Sequence, residues 1–183
     1  MRKVFWQISA TLDGYMEGRN RDLSDTAGME DKDFDRYASD MLQSIGGMLL
    51  GRKTYEVFVD YWPKAKGADA DAMNALPKFV VSKTLQRVEW NNSTLIDGDV
   101  AEKVAELKRQ PGKDIAVFGS SNLASTLMQL GLIDEYRILV TPVILGNGTP
   151  TFKDTKKKIA LKLLTATTMS TGIVALNYEP TWA

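Results

Sequence analysis

Three short segments combine small, hydroxyl and cationic residues directly after an apolar run: Gly51-Arg52-Lys53-Thr54, Ser82-Lys83-Thr84 and Gly119-Ser120-Ser121-Asn122. Each reads as a strand-to-helix junction. In an open α/β sheet the carboxyl ends of the strands form the ligand crevice, and a helix N-terminus offers unpaired N–H groups and a positive dipole to an anion. Three such junctions suit a ligand with several phosphates; singly, each also fits an ordinary turn or helix cap. Neither G-x-G-x-x-G nor G-x-x-x-x-G-K-[ST] occurs, so the usual nucleotide folds are not indicated.

The 183 residues include no histidine and no cysteine. That removes imidazole bases, Ser-His and Cys-His pairs, thiolate metal sites and disulfides, and no metal site is expected. Carboxylates, tyrosine, lysine, water or an organic cofactor that brings its own reactivity remain.

The elements that must position these segments alternate, short apolar runs with stretches of helical period, as in an α/β domain with a largely parallel central sheet. Lys3 to Ser9 reads as a first strand, followed by a polar loop through Asp25. Phe34, Tyr37, Ala38, Met41 and Ile45 make one apolar helix face, ended by Gly46-Gly47 before a short strand, Met48 to Leu50. A helix runs from Arg52 to about Asp60, then a loop holds Pro63 and Gly67. Strands are expected at Lys78 to Val81, Thr94 to Ile96, Ile115 to Phe118 and Tyr136 to Val140. Helices are expected with inner faces Val100, Val104, Leu107 and Leu123, Leu127, Leu130. Alternation at Ile159, Leu161, Leu163 and at Ile173, Ala175, Asn177, joined near Thr171-Gly172, predicts a terminal antiparallel hairpin.

The motifs Ser9-Ala10-Thr11-Leu12-Asp13-Gly14-Tyr15, Leu50-Gly51-Arg52-Lys53-Thr54-Tyr55-Glu56, Val80-Val81-Ser82-Lys83-Thr84-Leu85 and Val117-Phe118-Gly119-Ser120, followed by Leu132-Ile133-Asp134-Glu135 and Thr141-Pro142, carry a resemblance that runs nearly end to end. The chain resembles the dihydrofolate reductase superfamily, especially the branch containing the reductase half of the bifunctional riboflavin-biosynthesis deaminase-reductase. The resemblance implies a three-layer α/β/α domain with a mixed, mainly parallel sheet and NADPH lying across the strand ends. Arg52, Lys53 and Thr54 would meet the cofactor phosphates, Ser82 and Lys83 the adenosine side, and Gly119, Ser120, Ser121, Asn122 and Leu123 the pyrophosphate. Ala10 and Gly14 would border the nicotinamide, next to the Gly51 strand end. The superfamily usually has Gly-Gly where this chain has Gly119-Ser120, and dihydrofolate reductases make that peptide cis.

For the proton that accompanies hydride, Asp35 falls at the offset of the carboxylate that dihydrofolate reductases place on the first helix; beside Asp31 and Asp33 it equally fits a solvated helix start. Asp13, in the turn after the first strand, is a second catalytic candidate or a residue that shapes the turn. Thr141 matches a threonine that borders the substrate, although strand threonines are commonplace. Trp6, Trp62, Trp90 and Trp182 read as packing residues.

With 44% hydrophobic residues, one domain over 1–183 has a sufficient core. Lys plus Arg and Asp plus Glu both number 23, leaving no global field for nucleic acid or an anionic membrane. Lys156-Lys157-Lys158 reads as a solvated face. The N-terminal apolar run is broken by Gln7 and Asp13, neither signal peptide nor membrane span, and a cytoplasmic location is expected. H-x-E and P-C-x-x-C are absent, which excludes zinc-deaminase chemistry. The expected activity is hydride delivery from NADPH to a small heterocycle, pterin-like or ribosylamino-pyrimidine. The alternative is a non-catalytic NADPH-binding or flavin-binding module on the same fold. A homodimer is expected, because the apolar run from Tyr136 to Leu145 and the terminal hairpin leave a sheet edge to cover.

Overall fold

A computed structural model describes residues 1–19, 22–24, 32–153 and 155–181. The described strands are β1 (Val4–Thr11), β2 (Tyr15–Glu17), β3 (Ile45–Gly51), β4 (Lys78–Val81), β5 (Ser93–Ile96), β6 (Asp114–Phe118), β7 (Glu135–Thr141), β8 (Thr149–Pro150), β9 (Ala160–Thr168) and β10 (Val174–Thr181). The helices are α1 (Lys32–Ser44), α2 (Arg52–Tyr61), α3 (Ala68–Ala75), α4 (Val100–Arg109) and α5 (Ser121–Gln129).

The two-residue period of the strands sorts their side chains into two cores. Val4, Trp6, Ile8, Leu49, Ile115 and Val117 share one cluster with Val104, Leu107, Leu123 and Leu127 of α4 and α5. Phe5, Met48, Leu50 and Ala116, the intervening residues, meet Leu42, Tyr55 and Met73 of α1, α2 and α3. Strands apolar on both faces require cover on both, which makes the α/β/α layering. The main sheet has the order β5-β4-β3-β6-β1-β7-β10-β9. It is parallel from β5 through β7, and β10 and β9 continue it antiparallel. β2 and β8 form a separate two-stranded ribbon. The expected fold class and terminal hairpin are both present.

Several local expectations are corrected. Gly46 and Gly47 do not end α1; they lie inside β3, which begins at Ile45, with a register shift against β6 there. The glycines answer crowding: a Cβ at Gly46 would stand 3.0 Å from the Lys113 carbonyl oxygen, and one at Gly47 3.1 Å from the Phe79 ring. The loop expected after Pro63 contains α3, whose Ala70 and Met73 are buried. Ser82-Lys83-Thr84 opens no helix, because the Ser82 hydroxyl accepts from the Thr84 and Leu85 N–H groups (3.1 and 3.0 Å) and closes a turn. Leu130 is the half-exposed C-cap of α5, and Met128 takes its place in the core. β7 ends at Thr141, short of Leu145. Trp6 and Trp90 are buried; Trp182, Asp31 and the loop end at Asp25 lie outside the described residues. Among the described residues no helix is long and apolar enough to cross a membrane.

Lys78, at the start of β4, is fully buried without a carboxylate partner. Its ammonium donates to the carbonyls of Asn74 (2.7 Å) and Asn91 (2.9 Å) and stands 4.2 Å over the Trp90 ring. Burial pushes its pKa from 10.5 down to about 8. The folded state therefore binds fewer protons than the unfolded chain between those values, and stability rises with pH across that window. We expect about 2 kcal/mol more stability at pH 9.5 than at pH 7, read from urea midpoints. Lys78→Met should abolish the rise, and an identical slope in the variant would refute the assignment.

Candidate functional site

A cleft of about 960 Å³ opens at the carboxyl ends of β1, β6 and β7, between the first turns of α2 and α5 and the inner face of α1. Gly51, the N-cap of α2, offers no side-chain cap, so the first-turn N–H groups have no partner within the helix. A Cβ at Gly51 would sit 2.6 Å from the Ser120 Oγ, and one at Gly119 3.1 Å from the Thr54 Oγ1. Glycine at both points lets the two helix starts touch. Gly119 and Ser120 both have positive φ (56° and 45°), and no cis peptide occurs among the described residues. The Ser120 hydroxyl caps α5 by accepting from the Leu123 N–H at 3.4 Å. The Trp6 Nε1 donates to the Gly119 carbonyl at 3.0 Å, and the Trp6 ring packs edge-on against Tyr136 and Phe152. Lys53, Thr54, Ser121, Asn122 and Lys153 complete this polar half.

The other half is apolar. Phe34, Met41, Val57, Phe58, Trp62 and Leu139 line it. The exception is a pair: the Tyr37 hydroxyl donates to the Gln7 Oε1 at 2.8 Å. Burial raises the Tyr37 pKa, keeping the phenol neutral. Behind it Arg137 pairs with Glu135 (2.7 Å) and lies 3.7 Å over the Phe5 ring. The β2–β8 ribbon forms the rim, where a Cβ on Gly148 would stand 2.2 Å from the Glu17 carbonyl oxygen. Arg19 donates to the Asn147 Oδ1 (2.8 Å), and Thr149 to the Glu17 carboxylate (2.7 Å).

Of the residues expected from sequence, Lys53, Thr54, Gly119, Ser120, Ser121 and Asn122 line the cleft. Gly51, Leu123 and Ala10 stand behind its wall; Leu123 and Ala10 are core residues. Gly14, at φ 86°, belongs to the turn that leads into the rim, and its carbonyl accepts from the Thr151 N–H. Arg52 and Lys83 are exposed outside the wall, and Ser82 is buried in its own turn. Asp35 is exposed on the flank of α1, while Phe34, Tyr37, Ala38 and Met41 turn inward.

Asp13 is a structural clamp rather than an acid. Its carboxylate accepts from the Thr11 hydroxyl (2.6 Å) and from the N–H groups of Leu145 (3.1 Å) and Gly146 (2.7 Å). These bonds, the Thr11 one foremost, lower its pKa, which opposes proton donation. Thr141 is buried with its hydroxyl on the Ala10 carbonyl (3.3 Å), away from the cleft. Sequence reading passed over Gln7, Tyr37, Lys153 and the rim. Gln7 did leave a signal: a polar residue inside an otherwise buried strand.

A parallel sheet covered on both faces, with a cleft at its strand ends between two glycine-bounded helix starts, defines a nucleotide-type α/β domain of the reductase fold. Residues 2–175 match the RibD C-terminal domain family, and the chain belongs to it, in the dihydrofolate reductase superfamily. It is 34% identical to the uncharacterized protein YyaP of Bacillus subtilis (strain 168), over 97% of this chain and 95% of that one. The crystal structure of a putative riboflavin biosynthesis protein from Shewanella sp. PV-4 superposes with a TM-score of 0.78, at 19% identity and full coverage of both chains. That of the diaminohydroxyphosphoribosylaminopyrimidine deaminase/5-amino-6-(5-phosphoribosylamino)uracil reductase of Thermotoga maritima gives 0.70 at 13% identity, over 98% of this chain and 57% of that one.

Ser120 carries two opposed effects. A left-handed backbone costs a side-chain-bearing residue roughly 1–2 kcal/mol, whereas its long cap bond contributes little beyond what a glycine cap provides. Ser120→Gly should therefore raise Tm by about 2 °C, and Ser120→Ala should lower it. A lower Tm for the glycine variant would mean that the hydroxyl outweighs the strain.

Proposed function

We propose that the chain is an NADPH-dependent reductase that delivers hydride to a small organic substrate. The observation that carries this reading is the meeting of two helix starts, through Gly51 against Ser120 and Gly119 against Thr54, at the polar end of a cleft whose other end is apolar. The donor set fits a dinucleotide: first-turn N–H groups of α2 and α5 and the Lys53 ammonium suit the pyrophosphate, because charge-assisted hydrogen bonds are about twice as strong as neutral ones. When bound, the cofactor supplies the hydride. The protein's part is to hold the two reactants in register and to exclude water with the apolar wall and the rim. The groups of β1 and α1 that face the substrate half are the Gln7 amide and the neutral Tyr37 hydroxyl. Asp35 and Asp13 do not face it.

The preference for NADPH rests on cations just beyond the wall. Gly51 pairs with Val81 in the parallel β3–β4 ladder, so Arg52 and Lys83 emerge from neighbouring strand ends, both exposed. Arg52 is held only by a 3.8 Å contact to Glu56. A 2′-phosphate between them would gain hydrogen bonds to charged groups, about 1.5 kcal/mol or more each, or roughly tenfold in affinity. Arg52→Ala and Lys83→Ala should each weaken NADPH about tenfold and leave NADH nearly unchanged, with the difference shrinking in high salt. Equal affinity of the wild type for both cofactors, or equal losses in the variants, would overturn the assignment.

The homodimer is proposed to form along β9. All nine of its residues are exposed, including Leu161, Leu163 and Leu164 at 38%, 50% and 39%, and an exposed apolar edge strand needs cover. Sedimentation should give twice the chain mass at micromolar concentration, and Leu163→Glu should shift it to monomer. A wild-type monomer would remove the proposal.

A further inference from the structure

The least expected group in the cleft is Gln7. Odd-numbered residues of β1 face α1, so Gln7 stands on the same side as Phe5, but in the cleft wall; it is only 7% exposed. Its carbonyl oxygen is satisfied by Tyr37, while its amide nitrogen makes no hydrogen bond among the described residues. A buried polar group without a partner is costly, and a ligand acceptor removes that cost. Tyr37 has spent its proton on Gln7, so its oxygen presents lone pairs beside the free amide. Together they offer one donor and one acceptor, side by side, at the end of an otherwise apolar chamber. The matching edge is a cyclic lactam, whose C=O accepts and whose neighbouring N–H donates, on a flat ring that the walls of Phe34, Met41, Phe58 and Leu139 enclose.

Charge narrows the class further. Lys53 lies in the first turn of α2 beside Thr54, which touches Gly119. Lys153 follows Phe152, whose ring packs on Trp6, itself bonded to Gly119. Both cations thus belong to the polar half, and Arg19 is engaged by Asn147. The ionisable group lining the chamber from α3 is Asp69, which repels an anion.

We infer that Gln7 and Tyr37 are the residues that position the substrate, and that the substrate is an uncharged planar heterocycle bound by a lactam edge, not a phosphorylated one. Calling that ring a substrate rests on the reductase reading; the ring site itself does not.

The test uses fluorescent probes: lumazine and riboflavin as neutral rings, and flavin mononucleotide as the phosphorylated counterpart of riboflavin. Each is titrated with excess NADP⁺ present, and NADPH is titrated separately. The wild type should bind at least one neutral ring, and riboflavin at least tenfold more tightly than its phosphate ester. Gln7→Leu, and Tyr37→Phe, which keeps the ring packed on Leu139, should weaken the neutral ring about fivefold without changing NADPH affinity or Tm. Failure of both neutral rings to bind, equal affinity for the phosphate ester, or unchanged binding in both variants overturns the inference, whatever NADPH does. Neutral-ring binding that the variants lose, with no NADPH binding at all, supports the ring site and overturns the reductase reading instead.

Discussion

The hydrogen bond from the Trp6 indole to the Gly119 carbonyl, 3.0 Å long, joins the parts that make the cleft. Trp6 is fully buried in the middle of β1, so the bond ties the turn after β6 to the centre of the sheet. The same turn carries Ser120, which touches Gly51 at the end of β3, and Gly119, which touches Thr54 in α2. Three strand ends and two helix starts are thereby held at van der Waals distance. A methyl group at either glycine would push them apart. Precision at the polar half depends on missing side chains in the first rank and on one large aromatic behind them.

That arrangement divides the labour of the two faces of the sheet. The α4–α5 face is the drier one, with Trp6, Ile8 and Leu123 in a continuous core, and it backs the polar half. The α1–α2–α3 face is incompletely filled, and the space left between Phe34, Phe58 and Leu139 is the apolar chamber. Gln7, Arg137 and Glu135 stand on this second face, with Gln7 and Arg137 in register across the β1–β7 ladder. A polar row through an otherwise apolar layer is a destabilising choice unless every member is satisfied. Arg137 and Glu135 satisfy each other; Gln7 is satisfied on one side alone.

The fold was legible because strands covered on both faces are written as continuous apolar runs, and the helices as 3.6-residue stripes. The same code misplaced Gly46 and Gly47, since a glycine pair reads alike whether it stops a helix or admits a neighbouring strand. It missed α3 because ADADAMNA has no strong apolar stripe, only two buried residues. At the site, small residues near helix starts were legible as a pattern, and six of them line the cleft. The acidic candidates were not, because an offset along a helix does not say which way a side chain faces. Asp35 and Tyr37 are two positions apart, and the turn of the helix sends one to solvent and the other to the cleft. Asp13 shows the converse: its distinctive setting was visible, but its partners at Leu145 and Gly146 are 132 and 133 residues away.

β9 is unusual in having no buried side, with every residue from Ala160 to Thr168 exposed. A strand normally keeps its register because a one-residue slip would turn its apolar set outward; here that penalty is absent, and the pairing with β10 is set by the ladder and its irregularity at Asn177 and Tyr178. β9 also contributes nothing to the cleft wall. Its side chains are thus released from both constraints that govern the rest of the sheet, packing and ligand contact. Within this architecture the outermost strand is the one free to change with whatever surface it meets, while the chemistry ten or more ångströms away, three strands inward at about 4.8 Å spacing, stays as it is.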